Sequence, residues 1–381
     1  MKYTENMQNE VMLALDKDLD GDNVGDAGLE FLNRKDGFRS FGDGLLAVIS
    51  GKYSDVNIDN VIANIKEYAK SNGVPLEKIA RSANTFTNWF KKDKRPKKGE
   101  TSRHSMFALA FAMNFSVAET KYLFENVYLD RAFDYRKEEE MIFYFCLSSG
   151  KKWAEAEALI EKANNLTRQC DDKTIPTLEI QSELKAINDE EALLSYIASH
   201  GNNFAKNNVK AKKVFAELLR HAKTVALSEV IKMHKEVPDG KWNPEKEISN
   251  NYLFEIITDQ KASSKAGTKT IFNNVDLPLE ITSRFPEAGT FSKTDMTYEE
   301  IRKAIILLHF YNYCINNWNE TDFDDFVEEM NNILNDCCLA ELYPGNPFDW
   351  LFLYSMKYED YPLDVFRGVI AEALDSGIRE E

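Results

Sequence analysis

Turn-making residues are scarce in this chain, with 17 glycines and 10 prolines among 381 residues. Tight hairpins lean on glycine, and a sheet of short strands needs a turn roughly every 8–12 residues. A chain this poor in both is driven toward helices. The apolar spacing agrees: Ile58, Val61, Ile62, Ile65 and Ala69 fall on one helical face, and Ile301, Ile305, Leu308, Tyr311 and Ile315 repeat the pattern. The expected class is all-α.

The hydrophobic fraction, 43%, with 24 Phe and 16 Tyr, supplies a core and excludes a disordered chain. At 381 residues, two or three domains are the natural division. Five cysteines (Cys146, Cys170, Cys314, Cys337, Cys338) are odd in number and fit no zinc spacing, and the N-terminus is polar. These features read as a cytoplasmic protein with structural thiols. The longest apolar run, 304–315, is interrupted by His309 and Asn312 and is shorter than the ~20 residues a bilayer span needs, so no membrane anchor is expected.

The net charge of −16 argues against nucleic acid over the whole surface, but it hides an asymmetry. Residues 57–110 hold eleven Lys/Arg against five Asp/Glu, about +6, which leaves about −22 on the rest. Two parts with different partners would produce that separation, and so would an uneven distribution of solvated charges.

Along the chain, residues 1–50 are read as an acidic, partly flexible segment. Residues 16–22 begin like a calcium loop, but Ala27 stands where the bidentate Glu belongs. Phe38-Arg39-Ser40-Phe41 is the first stretch expected to dock on a core. Residues 51–130 are read as a small five-helix domain. Its first helix stops near Asn72-Gly73, Pro75 opens a second, and 85–90 makes a third that turns Phe86, Trp89 and Phe90 inward. A buried helix over 105–115 and one opened by a capping box at Ser116 and Glu119 follow. Residues 131–381 are read as a larger helical region. Capping-box spacings stand at Asn188/Glu191 and Thr297/Glu300, and prolines open helices at Asn346-Pro347 and Pro362. An irregular stretch is expected near 237–295, with a mobile loop at 262–269; an interdomain hinge and a surface excursion both fit it.

The chemistry concentrates after the third helix. Six Lys/Arg occupy the eight residues 91–98. Asn84, Thr85, Thr87 and Asn88 are types that read base edges, Asn being suited to bidentate pairing with adenine. Arg81, Lys91, Lys92, Lys94, Arg95, Lys97, Lys98 and Arg103 are expected to contact phosphates. Basic runs are also commonly solvated loops, and helical modules of this kind also serve as docking units.

From Leu76 to Phe124 the chain resembles lambda-repressor-like (Cro/XRE-type) helix-turn-helix domains. Thr85-Phe86-Thr87-Asn88-Trp89-Phe90 looks like the family's recognition helix, and Lys94-Arg95-Pro96 like the basic turn after it. The run from Ala108-Leu109-Ala110-Phe111 through Ser116-Val117-Ala118-Glu119-Thr120 is similar to its fourth helix and the start of its fifth. The family usually has a Gly between its second and third helices; Ala80-Arg81-Ser82-Ala83-Asn84 has none. At lower specificity the whole chain is similar to a family of uncharacterised helical proteins of gut anaerobic bacteria. Tyr128-Leu129-Asp130-Arg131-Ala132-Phe133, Leu307-Leu308-His309-Phe310-Tyr311 and Tyr343-Pro344-Gly345-Asn346-Pro347-Phe348-Asp349-Trp350 are among the segments that carry this second likeness. It implies an N-terminal helix-turn-helix followed by a helical region, and no activity.

No phosphate-cradling glycine loop or dinucleotide fingerprint occurs, and His104, His200, His221, His234 and His309 lack ligand spacing. His309, in an apolar run, reads as a satisfied core histidine. The carboxylate clusters Glu138-Glu139-Glu140 and Asp322, Asp324 and Asp325 read as solvated helix faces. Tyr343, Phe348 and Trp350 read as core. No cofactor, no metal and no enzymatic activity are expected. The expected partner is duplex DNA, read by a regulator that forms a homodimer or senses a protein partner through its acidic helical region. The alternative is an acidic interaction, inhibitor or defence-related factor whose helix-turn-helix is only a scaffold.

Overall fold

The computed structural model describes residues 24–34, 37–92, 94–167, 175–200, 209–234, 243–260, 277–318 and 320–379, and among them the regular elements are helical, with no strand. The calcium-like stretch at 16–22, the loop at 262–269 and Cys170 lie outside the described residues. The chain divides into two compact units: Arg39–Val209, and Met1–Phe38 together with Lys210–Glu381. The boundaries expected at 50 and 130 both fall inside the first of these. The two segments differ sharply in charge. Residues 39–209 contain 24 basic and 24 acidic residues, so the whole net charge of −16 resides on the other unit.

The acidic unit opens with α1 (Val24–Asn33). The neutral unit then runs through α2 (Phe41–Lys52), α3 (Val61–Ser71), α4 (Leu76–Ile79), α5 (Ala83–Phe90), α6 (Glu100–Ala112) and α7 (Val117–Tyr122), which continues as a π-helical turn, Leu123–Tyr128. It ends with α8 (Glu138–Ser148), α9 (Trp153–Asn164), α10 (Thr177–Ala186) and α11 (Glu190–His200). Local chemistry accounts for most of these limits. Ser40 caps α2 by accepting from the Asp43 amide at 2.9 Å. α3 buries Val61, Ile65 and Ala69 as its spacing requires. Ile58 does not belong to that helix and is 51% exposed. The reason is the preceding turn, where Asn57 and Asn60 accept from each other's amides at 3.3 and 2.7 Å and hold 57–60 out of the helix. At the other end Gly73 takes φ +67, which lets the Val74 amide reach back to the Ala69 carbonyl at 2.8 Å. The capping box at α7 forms, with both amide–side-chain bonds made, at 2.7 and 3.2 Å. The expected box at Asn188 does not: Asp189 caps α11 instead, accepting from the Ala192 amide at 2.8 Å.

The core of this unit explains why it extends past residue 130. Phe107 of α6 lies 4.5 Å from Phe124 and 4.9 Å from Phe143 of α8, and Phe143 stacks on Trp153 of α9 at 5.4 Å. Each fully buried aromatic ring contributes roughly 2–3 kcal/mol. A domain cut at 130 would expose the rings of α8 and α9.

The acidic unit continues with α12 (Val209–His234), α13 (Pro244–Glu247), α14 (Asn250–Thr258), α15 (Leu279–Thr282) and α16 (Ala288–Phe291). The stretch expected to be irregular thus carries four short helices. α17 (Tyr298–Asn316), α18 (Phe323–Asp336), α19 (Pro347–Met356) and α20 (Pro362–Arg379) follow. The box at Thr297/Glu300 forms (2.9 and 3.3 Å), Asn346 accepts from the Phe348 amide at 3.1 Å ahead of α19, and Pro362 opens α20. α17 is buried on all sides from Glu300 to Cys314, where Glu300, Arg302 and Lys303 are paired while His309 Nε2 and the Tyr311 hydroxyl make no hydrogen bond. Arg302 holds Asp349 through two bonds of 2.8 and 2.7 Å. Phe348 and Trp350 are fully buried core residues. α1 lies on α20 with backbones nearly touching: a Cβ at Gly25 would meet the Gly368 carbonyl carbon at 2.9 Å. Phe38 and Phe41, read as one docking segment, divide between the two units, Phe38 against Trp350 (6.1 Å) and Phe41 against Trp89 (5.4 Å).

Candidate nucleic-acid interface

α5 is amphipathic and short. Phe86 and Trp89 are 3% and 4% exposed and meet edge-to-face at 5.5 Å, which anchors the helix on Phe41 of α2. Gly42 makes that anchoring possible, because a Cβ there would strike the Trp89 carbonyl oxygen at 2.4 Å. On the opposite face Asn84 is exposed; Thr87 and Asn88 at its edges, and Thr85 beside Trp89, are half-buried. The link from α4 needs no glycine. Ala80 (φ −140, ψ 105) and Ser82 (φ −147, ψ 158) are extended, and no residue of the link has positive φ.

The basic turn is tied at both ends. The Lys91 amide donates to the Thr87 carbonyl at 3.0 Å, the Lys94 amide to the Asn88 carbonyl at 2.8 Å, and the Tyr128 hydroxyl to the Lys97 carbonyl at 3.2 Å. Burial, with Asp130 nearby, pushes the Tyr128 phenol up to about 12, so it remains a donor across the physiological range. The side chains of Lys91, Lys92, Lys94 and Lys97 are exposed, and Arg95 and Lys98 are half-buried. Four lysines therefore fan outward from the C-terminal end of α5, where they also complement the helix dipole.

Arg81 is exposed but sits in a groove with Glu77, Glu100 and Glu139, its guanidinium 3.5 Å from the Thr101 hydroxyl. Those carboxylates compete with a phosphate for it.

Arg103 has a different task from the one expected. It is 6% exposed, and its guanidinium donates to Glu140 at 2.9 and 2.6 Å, to Asp130 at 3.0 Å, and to the Arg131 and Ala132 carbonyls at 2.8 and 3.3 Å. Burial works against its charge, but Glu140 and then Asp130 outweigh that, and its pKa is raised. Burial likewise opposes the Glu140 carboxylate, yet Arg103 and the Asp134 amide at 2.7 Å hold its pKa below the ordinary value. Arg103 thus joins α6 to α8 and to the turn after the π-helical segment, and cannot reach a phosphate. Glu140 leaves the expected solvated face for the same reason. Glu139 stays exposed and pairs with His104 at 3.1 Å. The signal in the sequence was slight: Arg103 is three residues ahead of an unbroken apolar run, 106–113.

Among the described residues no group of three or more His, Cys, Asp or Glu is placed to hold a metal. Cys146, Cys314 and Cys337 are buried thiols, and burial pushes Cys146 and Cys337 up to about 12, far from nucleophilic. His309 is buried against Phe326, its ring 5.8 Å away, but it is not the satisfied core histidine expected. Nε2 makes no hydrogen bond, the Glu329 carboxylate standing 3.6 Å away, and burial lowers its pKa to about 4. Among the described residues no helix is long and apolar enough to cross a membrane. No family model matches the chain, and no curated protein or solved structure is similar to it.

Proposed function

We propose that the chain is a DNA-binding regulator in which α4 and α5 act as a helix-turn-helix of the Cro/XRE type. α5 enters the major groove, and the lysines after it hold the phosphates. The observation that carries this reading is one helix with two faces. Phe86 and Trp89 anchor its back, Asn84 is exposed on its front, and four exposed lysines follow on a turn tied down by Asn88 and Tyr128. A tied turn presents its charges without a large ordering cost. The unit around it is electrically neutral, so attraction to DNA is local to the turn and not spread over the surface. The acidic unit is assigned dimerisation or partner sensing, since one short module buries too little surface for tight specific binding.

The test is selection from a random duplex pool by the full chain at low and at physiological salt. An enriched motif, palindromic for a homodimer, supports the reading; no retention at either salt overturns it. Replacing Lys91, Lys92, Lys94 and Arg95 by Ala is expected to weaken binding at every sequence. It should also flatten the salt dependence by roughly 0.9 in slope for each phosphate no longer neutralised. Asn84→Ala and, less strongly, the half-buried Asn88→Ala are expected to relax preference at one base pair, by about 1–3 kcal/mol.

A second reading is favoured by charge alone: the acidic unit binds a basic protein, and the helix-turn-helix is a scaffold. Under it, the four-residue lysine and arginine variant leaves partner binding intact.

A further inference from the structure

Apolar side chains exposed singly need no explanation, but two large aromatics lining one cleft form a patch of the kind that contact surfaces use. In the acidic unit Trp318 is 59% exposed and Tyr361 44% exposed. They line the same shallow cleft, between the end of α17 and the start of α20, with Thr321 and Pro362 beside them. Its rim is acidic. Asp360 and Asp364 line it, and Glu320 and Glu359 are exposed within two residues of its lining in sequence. The nearest basic group on α20, Arg367, is turned inward, donating to the Ile256 and Ile257 carbonyls at 2.5 and 3.3 Å, and reaches Asp364 only at 3.4 Å. Asp360 is exposed, as is Lys357 three residues before it.

Aromatic faces attract cations, tryptophan most strongly, and carboxylates around them supply the matching charge. The unit's −16 repels anions and draws cations toward the same surface. We propose that the Trp318–Tyr361 cleft is a docking site for a lysine- or arginine-rich peptide segment of a partner protein. One cationic side chain lies across the indole, with its charge toward Asp360 and Asp364. The cleft is too shallow for a buried side chain, so the contact is of the exposed cation–π kind. This inference is independent of the DNA-binding reading.

The probe is a fluorescein-labelled ten-residue peptide of alternating arginine and glycine, titrated into the full chain at 50 mM and 150 mM salt and followed by anisotropy. Saturable binding is expected. Trp318→Ala should weaken it roughly twofold to fivefold. The Asp360→Asn, Asp364→Asn double variant should weaken it about threefold to tenfold at 50 mM salt, and less at 150 mM. These positions are on the surface, and an unchanged thermal melt certifies each variant. Equal affinity for wild type and Trp318→Ala would overturn the proposal in favour of diffuse charge attraction. An acidic or uncharged peptide binding equally well would overturn it in favour of a plain apolar patch. Concentration-dependent self-association abolished by Trp318→Ala would overturn it in favour of a second copy of this chain. No binding at either salt overturns it outright.

Discussion

Replacing Arg103 by methionine keeps much of the side chain's length and apolar volume while removing every donor. The guanidinium now satisfies both oxygens of Glu140, one of Asp130, and the carbonyls of residues 131 and 132. After the change, Glu140 is left 5% exposed with only the Asp134 amide, and Asp130 is left 12% exposed. Removing one partner of a buried pair costs about 3–5 kcal/mol, because the remaining charge is stranded away from water. The expected result is therefore a loss of about 3–5 kcal/mol in urea unfolding followed by near-ultraviolet circular dichroism, to which Trp153, packed on Phe143 of α8, contributes. Arg103→Met with Glu140→Leu should recover part of that loss, since the pair leaves together and the space stays filled. A loss under ~1 kcal/mol in the single variant would refute the reasoning: it would mean that water reaches Glu140 and that the network holds nothing.

The same variant separates a structural arginine from a phosphate-binding one. If Arg103 acts only through the fold, duplex affinity measured well below the unfolding transition keeps its salt slope. A drop of about 0.9 in that slope would instead return Arg103 to the DNA surface.

Two further outcomes follow from single contacts. Gly25→Ala in α1 puts a methyl 2.9 Å from the Gly368 backbone, where no side chain can rotate away. Separation of α1 from α20 is expected to cost about 1–3 kcal/mol, read as a lower melting temperature, and an unchanged melt would show that the helices slide freely. His309 has a folded pKa of about 4, below its ordinary 6.5. The unfolded chain therefore binds the proton first, and the stability held above pH 6.5 is lost as pH falls toward 4, by up to about 3 kcal/mol. As pH falls across that window the denaturant midpoint of wild type should drop relative to that of His309→Phe, and parallel curves would mean that the imidazole titrates in water.

What the sequence disclosed and what it hid differ in kind. Helix class, the capping boxes at Ser116 and Thr297, and the proline-led starts of α19 and α20 depend on a few adjacent residues, and adjacent residues are what a sequence displays. The inward turn of Phe86 and Trp89 was legible for the same reason. The extent of the neutral unit was not, because it depends on rings of α6, α8 and α9 meeting across tens of residues. Ile58 kept helical spacing and yet stayed out of the helix, because two asparagines closed a competing turn. Arg103 looked like its exposed neighbours because charge type says nothing of burial. Only the distant Glu140 distinguishes them.

The charge pattern gains meaning once it is divided by unit and not by motif. Counted over 57–110, the chain looked like a basic domain attached to an acidic remainder. Counted over its compact units, the basic turn belongs to a neutral body, and the acidic excess belongs wholly to the other unit. Within the neutral unit, Lys52, Lys78, Lys137 and Lys151 pair with glutamates at 2.9–3.2 Å, and Arg103 is held inside. The exposed lysines of the turn 91–98 are thus set apart by their surroundings as much as by their number. Phosphate binding there would be short in reach and steep in salt. The acidic unit carries the whole net charge of −16 and the Trp318–Tyr361 cleft, and its field attracts cations. Under the two proposals, the neutral unit would take an anionic ligand and the acidic unit a cationic one.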